Sequence, residues 1–190
     1  MIEGGAVDWA GHANQLDRMI EEQIDFDNAV TEAVAWVEAN SNWNETLIIV
    51  TADHETGYLM GASDGSAGFM DVNGNNQFDA GVDYAHLKNN GAGNLPGASW
   101  YSGNHTNQLV PLFAKGAGAE LFNNYIVGTD ANLDNYYGLA ANGWTGFDGK
   151  YIDNTSIYSV MMEASGIPEP ATFGILSISA GALVLRRRSR

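Results

Sequence analysis

Three stretches of the sequence combine histidine with carboxylate or amide side chains at short spacing. Asp8 stands four residues before His12, Asp53 directly precedes His54, and His105 lies in a Ser-Gly-Asn-His-Thr stretch. Imidazole nitrogen and carboxylate oxygen together form a ligand set suited to zinc. Each stretch alone has an ordinary interpretation, as a solvated helix pair or a cap at a strand end. Their joint occurrence in one chain predicts a metal site.

The first two elements that must position these residues are a strand end and a long helix. Residues 1–12 are expected to be the end of a strand that runs into a loop, where Gly4 and Gly5 permit a tight fold back onto the site. Apolar residues then recur at helical spacing from Asn14, the expected N-cap, to about Asn40. A helix between these two asparagines is therefore predicted.

Strand patterns follow the helix. The apolar, β-branched run at 46–51 predicts a strand that is buried on both faces, as parallel sheets require. Residues 61–104 are rich in Gly, Asn and Ser and predict a long insertion, after which 108–114 predicts another strand, with Pro111 marking an edge or an end. The remaining elements are a turn with a short helix at 116–124 and a helix at 153–164, capped by Asp153 or Thr155. This order predicts an α/β fold with its sites beyond the carboxyl ends of parallel strands.

The charge distribution excludes some functions. The formal net charge is −15, and four of the eight basic residues cluster at 186–190, which leaves an acidic body. Such a body repels phosphate backbones, so a nucleic-acid partner is not expected, whereas divalent cations suit it. There is no cysteine, which excludes disulfides, thiolate zinc sites and a cysteine nucleophile.

The three histidine stretches resemble, in order and approximate separation, the metal-binding motifs of the bacterial alkaline phosphatase family. The resemblance is carried by Met-Ile-Glu-Gly-Gly-Ala-Val-Asp-Trp-Ala-Gly-His at 1–12, Thr-Ala-Asp-His-Glu-Thr-Gly at 51–57, and the stretch 102–116. The Glu-Gly-Gly lead-in favours phosphatases over sulfatases or phosphoglycerate mutases. The resemblance implies an α/β, alkaline phosphatase-like sandwich over residues 1–165, with a mostly parallel central sheet flanked by helices and its N-terminal part missing.

The resemblance also implies metals and an activity. One zinc would be held by Asp8, His12 and His105, a second zinc by Asp53 and His54, and magnesium by Glu3. Two metal ions about 4 Å apart stabilise the attacking and leaving oxygens of an in-line displacement. The implied substrate is a phosphate monoester. The family's serine nucleophile is expected upstream of Met1, so no catalytic residue is assigned within this chain, which we expect to be inactive alone. A homodimer is a further expectation.

Residues 71–83 resemble a calcium loop. Oxygen-bearing side chains alternate along it, a backbone carbonyl would complete the set, and an acid stands one position after the usual closing position. The candidate ligands are Asp71, Asn73, Asn75, Gln77, Asp79 and Asp83. Asn76 stands where such loops carry glycine. The alternative is an Asx-rich turn without an ion.

Residues 166–190 predict a sorting tail. Pro168-Glu169-Pro170 precedes an apolar stretch at 171–185, which is shorter than the about 20 residues of a full membrane span, and an arginine cluster follows. These features resemble the PEP-CTERM signal, which implies transient anchoring in the inner membrane and processing by an exosortase-type enzyme. The mature protein would then be periplasmic, on the outer membrane or extracellular. A buried core helix is the alternative for 171–185.

Three hypotheses for the whole chain follow. The first is a metal-dependent phosphomonoesterase. The second is a non-catalytic, surface-sorted calcium-binding module on a phosphatase-like scaffold. The third is the remnant of a degraded gene.

Overall fold

The computed structural model describes residues 1–133, 136, 143 and 146–166. Its helices are α1 (Gly5–His12), α2 (Leu16–Asn40), a 3-10 helix (Ala119–Tyr125) and α3 (Ser156–Ala164). Its strands are β1 (Leu47–Val50), β2 (Glu55–Thr56), β3 (Leu59–Gly61), β4 (Phe69–Met70), β5 (Tyr84–Ala85), β6 (Ala98–Trp100), β7 (His105–Thr106), β8 (Phe113–Gly116), β9 (Ile126–Thr129) and β10 (Lys150–Ile152).

The first motif forms a helix, so the expectation of a strand end at 1–12 is wrong. Helix α1 places Asp8 and His12 four residues apart on one helical face. The role expected of Gly4 also changes, because its φ of −92° is open to any residue. A β-carbon at Gly4 would lie 2.9 Å from the ring of Phe26 in α2. The absence of a side chain at Gly4 therefore allows the start of α1 to approach α2 closely. Glycine is required here for packing and not for its backbone conformation.

Helix α2 confirms the helical periodicity, but Asn14 is not its N-cap. The N-cap is Gln15, and Asn14 has a φ of 54°, in the left-handed region that asparagine tolerates better than most residues. Asn14 thus forms the bend between α1 and α2. The two helices pack on each other. Ala10 of α1 is buried, and so is Val37 near the end of α2.

Strand β1 falls within the predicted run 46–51, but its partner is antiparallel. Leu47 pairs with Gly116 and Val50 with Phe113, and β1 is only partly buried along its length. All five strand ladders in the described part of the chain are antiparallel, so the predicted parallel sheet is not found there. The strand predicted at 108–114 begins only at Phe113. Pro111 lies before it, as expected of a residue without an N–H to donate to the ladder.

The two ends of the predicted insertion lie next to each other, because the strands that flank it, β2 and β7, are paired. Strand β2 pairs with β7, so that Glu55 lies opposite Thr106 and Thr56 opposite His105. Beyond this two-residue ladder, β3 pairs with β6 and β4 with β5. The ladder of β2 and β7 brings the second and third histidine motifs side by side.

The C-terminal described region packs α3 against the 3-10 helix. Val160 of α3 is fully buried and Phe122 of the 3-10 helix is nearly so. Helix α3 starts later than the predicted residue 153, with Thr155 as N-cap and without a capping bond from its side chain. The Asp153 carboxylate instead accepts hydrogen bonds from the backbone N–H and the hydroxyl of Thr155. No helix in residues 1–133 or 146–166 is long and apolar enough to cross a membrane, and the predicted tail segment 171–185 lies outside the described residues.

Candidate metal centre

Asp8, His12 and His105 come together at the end of α1. The Nε2 atoms of His12 and His105 are 3.0 Å apart. Asp8 reaches both rings, with Oδ2 3.6 Å from Nε2 of His12 and Oδ1 3.4 Å from Nε2 of His105. Within the described ranges, this is the one group of three His, Cys, Asp or Glu residues whose ligand atoms are close enough to share a metal ion. Helix α1 supplies two of its members and β7 the third.

The spacing of these atoms fits zinc. Zinc bonds of about 2.0–2.1 Å to nitrogen in a tetrahedral site put neighbouring ligand atoms about 3.3 Å apart. The two nitrogens are 3.0 Å apart, and the Asp8 carboxylate reaches them at similar spacing through a different oxygen each, Oδ1 at 3.4 Å from His105 and Oδ2 at 3.6 Å from His12. Two imidazoles and one carboxylate are also the donor types of open zinc sites, which leave one further position for water or substrate.

A hydrogen bond at Nδ1 orients the His12 ring. Its Nδ1 lies 2.7 Å from the backbone carbonyl of Gly103, to which it donates. A neutral imidazole that donates through Nδ1 presents Nε2 as a lone pair, which is the form a metal needs. The Asn14 amide fixes this loop, because its Nδ2 donates to the carbonyls of Gly11 (3.0 Å) and Ser102 (2.8 Å).

His54 and Asp53 lie directly beside the three-ligand group. The His54 ring stacks on His105, with centroids 3.6 Å apart and planes inclined by 24°. Nε2 of His54 is 3.5 Å from Oδ2 of Asp53, whose other oxygen accepts the backbone N–H of His54. The Asp53 side chain is 88% exposed. The adjacent pair therefore presents one nitrogen and one oxygen next to the first group, in an open position.

Thr56 is a site residue that the sequence reasoning missed. It is buried, and its hydroxyl donates to Oδ1 of Asp8 at 2.6 Å across 48 positions of sequence. This hydrogen bond is the main reason that the pKa of Asp8 lies below its ordinary value. The charges of His12, His105 and His54 lower it further, and partial burial opposes the shift. The sequence signal for it was weak, because β2 begins only at Glu55 and His54, two residues before Thr56, lies in the bend that precedes the strand.

Glu3 lies apart from the three-ligand group. It lines a groove between the start of α1 and α2, together with Trp9, Asp25 and Phe26. Glu3 is not a member of the group formed by Asp8, His12 and His105, so magnesium at Glu3 stays a prediction.

The predicted calcium loop is closed by its own hydrogen bonds. The Asp71 carboxylate accepts the N–H groups of Gly74 and Asn76, and Asn76 has the left-handed φ (62°) that the glycine of calcium loops usually supplies. The two oxygens of Asp83 accept the N–H groups of Val72 and Asp79.

Hydrogen bonds between the side chains of the loop take up several of its candidate ligand oxygens. The Asp79 carboxylate accepts hydrogen bonds from the amide groups of Asn73 and Asn75, while Gln77 donates its backbone N–H to Oδ1 of Asn75. Asp71, Asp79 and Asp83 do not meet the spacing that the three ligands of the zinc-type centre meet.

The three-ligand group and the His54–Asp53 pair beside it form a cluster of histidine and carboxylate groups whose first three members could hold a metal ion. Sequence comparison finds partial similarity to known proteins. Residues 1–94 match the family model described as alkaline phosphatase. Alkaline phosphatase 4 of Bacillus subtilis (strain 168) is 28% identical over 70% of this chain and 38% of its own length. Alkaline phosphatase 3 of the same organism is 40% identical over 33% of this chain and 13% of its own length. The chain is thus similar to alkaline phosphatases over the aligned segments.

Solved structures with partial similarity carry the same name. Alkaline phosphatase from the Antarctic bacterium TAB5 is 34% identical with a TM-score of 0.42, covering 63% of this chain and 28% of that one. A variant of the TAB5 enzyme with Mg bound in its M3 site is 30% identical with a TM-score of 0.43, covering 76% and 35%. The chain spans well under half the length of these relatives.

Proposed function

We propose that this chain supplies the zinc ligands of a metal-dependent phosphomonoester hydrolase of the alkaline phosphatase type. The observation that carries the proposal is the convergence of Asp8, His12 and His105 at separations that suit tetrahedral zinc. The family match over residues 1–94 supports the same activity, because two of these three ligands lie inside it.

Each residue has a defined task in the proposed enzyme. Asp8 places negative charge between the two imidazoles, and Gly103 and Asn14 hold His12 with its Nε2 toward the centre. A second zinc is proposed at Asp53 and His54. Bound zinc would polarise a phosphoryl oxygen and lower the pKa of a bound water.

Further parts of the proposal rest on the resemblance of the motifs. Magnesium is proposed at Glu3, after movement of that side chain from the groove it lines. The serine nucleophile is proposed to come from a segment preceding these 190 residues, so that the chain by itself has no appreciable turnover. A phosphate monoester is the proposed substrate and a homodimer the proposed assembly.

The tail is proposed as an export device. Pro168-Glu169-Pro170 and the apolar stretch 171–185 would pass the chain to an exosortase-type enzyme after transient anchoring in the inner membrane. The mature protein would then act outside that membrane. Replacing Glu169 by Ala should leave the unprocessed form in the membrane fraction, and normal processing of this variant contradicts the assignment.

The hydrolase is tested by metal content and activity in one experiment. The protein is expressed with any in-frame coding sequence upstream of Met1, and zinc is measured together with hydrolysis of a chromogenic phosphate monoester. We expect bound zinc and hydrolysis in the wild type, and loss of both in His12→Ala and His105→Ala. Lys88→Ala, a change outside the three-ligand group in a residue that pairs with Gly97, should retain both. Absence of zinc, or activity that survives both histidine substitutions, would overturn the proposal.

A calcium-binding module is the second candidate. It is favoured by the left-handed φ of Asn76 at the sixth position of the 71–83 loop, where calcium loops need that conformation. Binding requires the amides of Asn73 and Asn75 to turn their oxygens inward, away from their present bonds to Asp79. Calcium should then raise the unfolding temperature of the wild type and not of Asp71→Ala. An equal response of the two proteins contradicts this candidate.

A further inference from the structure

Thr56 occupies an unusual position between the two proposed metal positions. It is 8% exposed and lies in β2, directly opposite His105 of β7. Its methyl group faces α1, where a β-carbon at Gly11 would lie 3.0 Å from Cγ2. Its hydroxyl contacts Asp8, one turn earlier on the same helix, and His54. Packing of the methyl group thus fixes the direction of the hydroxyl.

The Thr56 hydroxyl can donate one hydrogen bond and accept others, and it has two partners. Oγ1 donates to Oδ1 of Asp8 at 2.6 Å, since an ionised carboxylate has no proton to offer. Oγ1 also lies 3.4 Å from Nδ1 of His54. With its own proton committed to Asp8, the hydroxyl oxygen is left to accept from an Nδ1–H of His54. That arrangement keeps Nε2 of His54 as a lone pair, on the side where Asp53 lies 3.5 Å away.

We infer that Thr56 is a positioning residue that couples the two metal positions, by orienting Asp8 of the first and selecting the tautomer of His54 in the second. The inference rests on the proposed function, because Asp8 and His54 are ligands only there. A single hydroxyl therefore sets the donor geometry of both centres. Partners of this kind, which touch ligands and not the metal, typically change metal affinity by about 10–100-fold when removed.

The test uses the full 190-residue chain and three substitutions. Thr56→Val keeps the branched shape against Gly11 and removes the hydroxyl, while Thr56→Ser keeps the hydroxyl and removes the methyl group. Thr106→Val is the matched control, because Thr106 lies in the same ladder and donates its hydroxyl to Glu55, which is outside the three-ligand group. Zinc affinity is measured by competition with a chelator. The tautomer of His54 is read in the metal-free chain from long-range proton–nitrogen NMR correlations.

The expected pattern separates positioning from general stability. Thr56→Val should weaken zinc by about 10-fold or more and lose the Nδ1–H form of His54, while Thr56→Ser and Thr106→Val stay near wild type on both readouts. Wild-type zinc affinity in Thr56→Val overturns the inference and leaves the proposed function standing. An equal loss in Thr106→Val or Thr56→Ser also overturns it, because the hydroxyl would then not be the cause. A wild-type chain that binds no zinc overturns the inference together with the proposed function.

Discussion

The Nε2 atoms of His12 and His105 lie 3.0 Å apart, although 93 positions of sequence separate the two residues. Because His12 donates through Nδ1 to Gly103, its Nε2 carries a lone pair directed at the partner ring. An Nε2–H of His105 can donate to this lone pair, and a bound cation would take the place of that proton. Asp8, whose oxygens lie 3.6 and 3.4 Å from the two nitrogens, would help to neutralise the cation.

Zinc should stabilise the fold through this pair. A ligand that binds only the folded chain stabilises it by about 2.7 kcal/mol at a concentration 100 times its Kd, so the unfolding temperature should rise with zinc and fall again with chelator. Calorimetry of wild type and His12→Ala measures the effect, which the substitution should remove. His86→Ala, at a histidine outside the three-ligand group, should keep it. A zinc response that persists in His12→Ala would contradict the assignment.

The acid side of the stability profile should depend on Asp8. The hydrogen bond from Thr56 holds the pKa of Asp8 below its ordinary value in the folded chain. A carboxyl with a lowered pKa adds stability above its unfolded value of about 3.9, and this contribution is lost as the pH falls through the folded pKa. Thermal unfolding of the metal-free chain should therefore show a steeper loss of stability below about pH 4 than the Asp8→Asn variant shows.

The control for this measurement is internal. Asp148 and Asp153 also have a lowered pKa, because each accepts hydrogen bonds from a residue two positions later. They contribute to the acid slope of both proteins, so the difference between wild type and Asp8→Asn isolates Asp8. Identical slopes would show that Asp8 contributes nothing to the pH dependence.

Asn14 should contribute to stability through its backbone conformation and to zinc affinity through its amide hydrogen bonds. Asn14→Ala keeps a β-carbon at a left-handed φ but lacks the short polar side chain that makes this conformation tolerable for asparagine, at a cost of about 1 kcal/mol, and it removes both amide hydrogen bonds. Asn14→Gly removes the same hydrogen bonds without the backbone cost. We expect the alanine variant to be the less stable one in urea unfolding, and both variants to bind zinc more weakly. Full zinc affinity in both would mean that the loop carrying Gly103 needs no support from Asn14.

Gly57 is the position where a β-carbon should do most damage near the site. It has a φ of 94°, and a β-carbon there would lie 2.3 Å from the Trp100 ring and 3.1 Å from the carbonyl of Gly11. Gly91 has a similar φ of 86° with open space around it. Gly91→Ala should cost about 1 kcal/mol for the backbone alone, and Gly57→Ala about 2–4 kcal/mol because crowding is added. Equal losses in urea unfolding would remove the argument from close packing.

Val160 should anchor the C-terminal described region. It is fully buried on α3, whereas the next residue, Met161, is 54% exposed. Val160→Ala removes buried methyl groups and leaves a cavity, for an expected loss of about 2 kcal/mol in unfolding free energy. Met161→Ala should change it by about 0.5 kcal/mol or less. A larger loss at Met161 than at Val160 would contradict the packing of α3 against the 3-10 helix.

Local patterns predicted the long elements of this fold well. The helix at 16–40 and the strand at 47–50 follow from apolar spacing and β-branching, which act within a few residues. Helix α1 was missed because eight residues with two glycines carry little periodicity, and its conformation depends on contact with α2. The direction of pairing for β1 was wrong for a related reason, since its partner lies more than 60 residues away.

The site was predictable in its ligand types but not in its supporting contacts. The spacing of Asp8 and His12 and the adjacency of Asp53 and His54 are local features of the sequence, and they are enough to indicate metal binding. The hydrogen bonds of Thr56 to Asp8 and of His12 to Gly103 join residues 48 and 91 positions apart, and nothing local encodes them. Supporting groups of this kind become visible only when the ladder of β2 and β7 is placed.

That ladder makes residues 57–104 a single excursion, which leaves beside Thr56 and returns beside His105. The entropy cost of closing a flexible excursion grows only with the logarithm of its length, by about 0.6 kcal/mol for each doubling. Evolution is therefore free to lengthen, shorten or redecorate this stretch while the atoms at its base keep their spacing. We expect natural variants of this protein to differ most here, with new recognition surfaces gained at little thermodynamic expense to the chemistry beneath them.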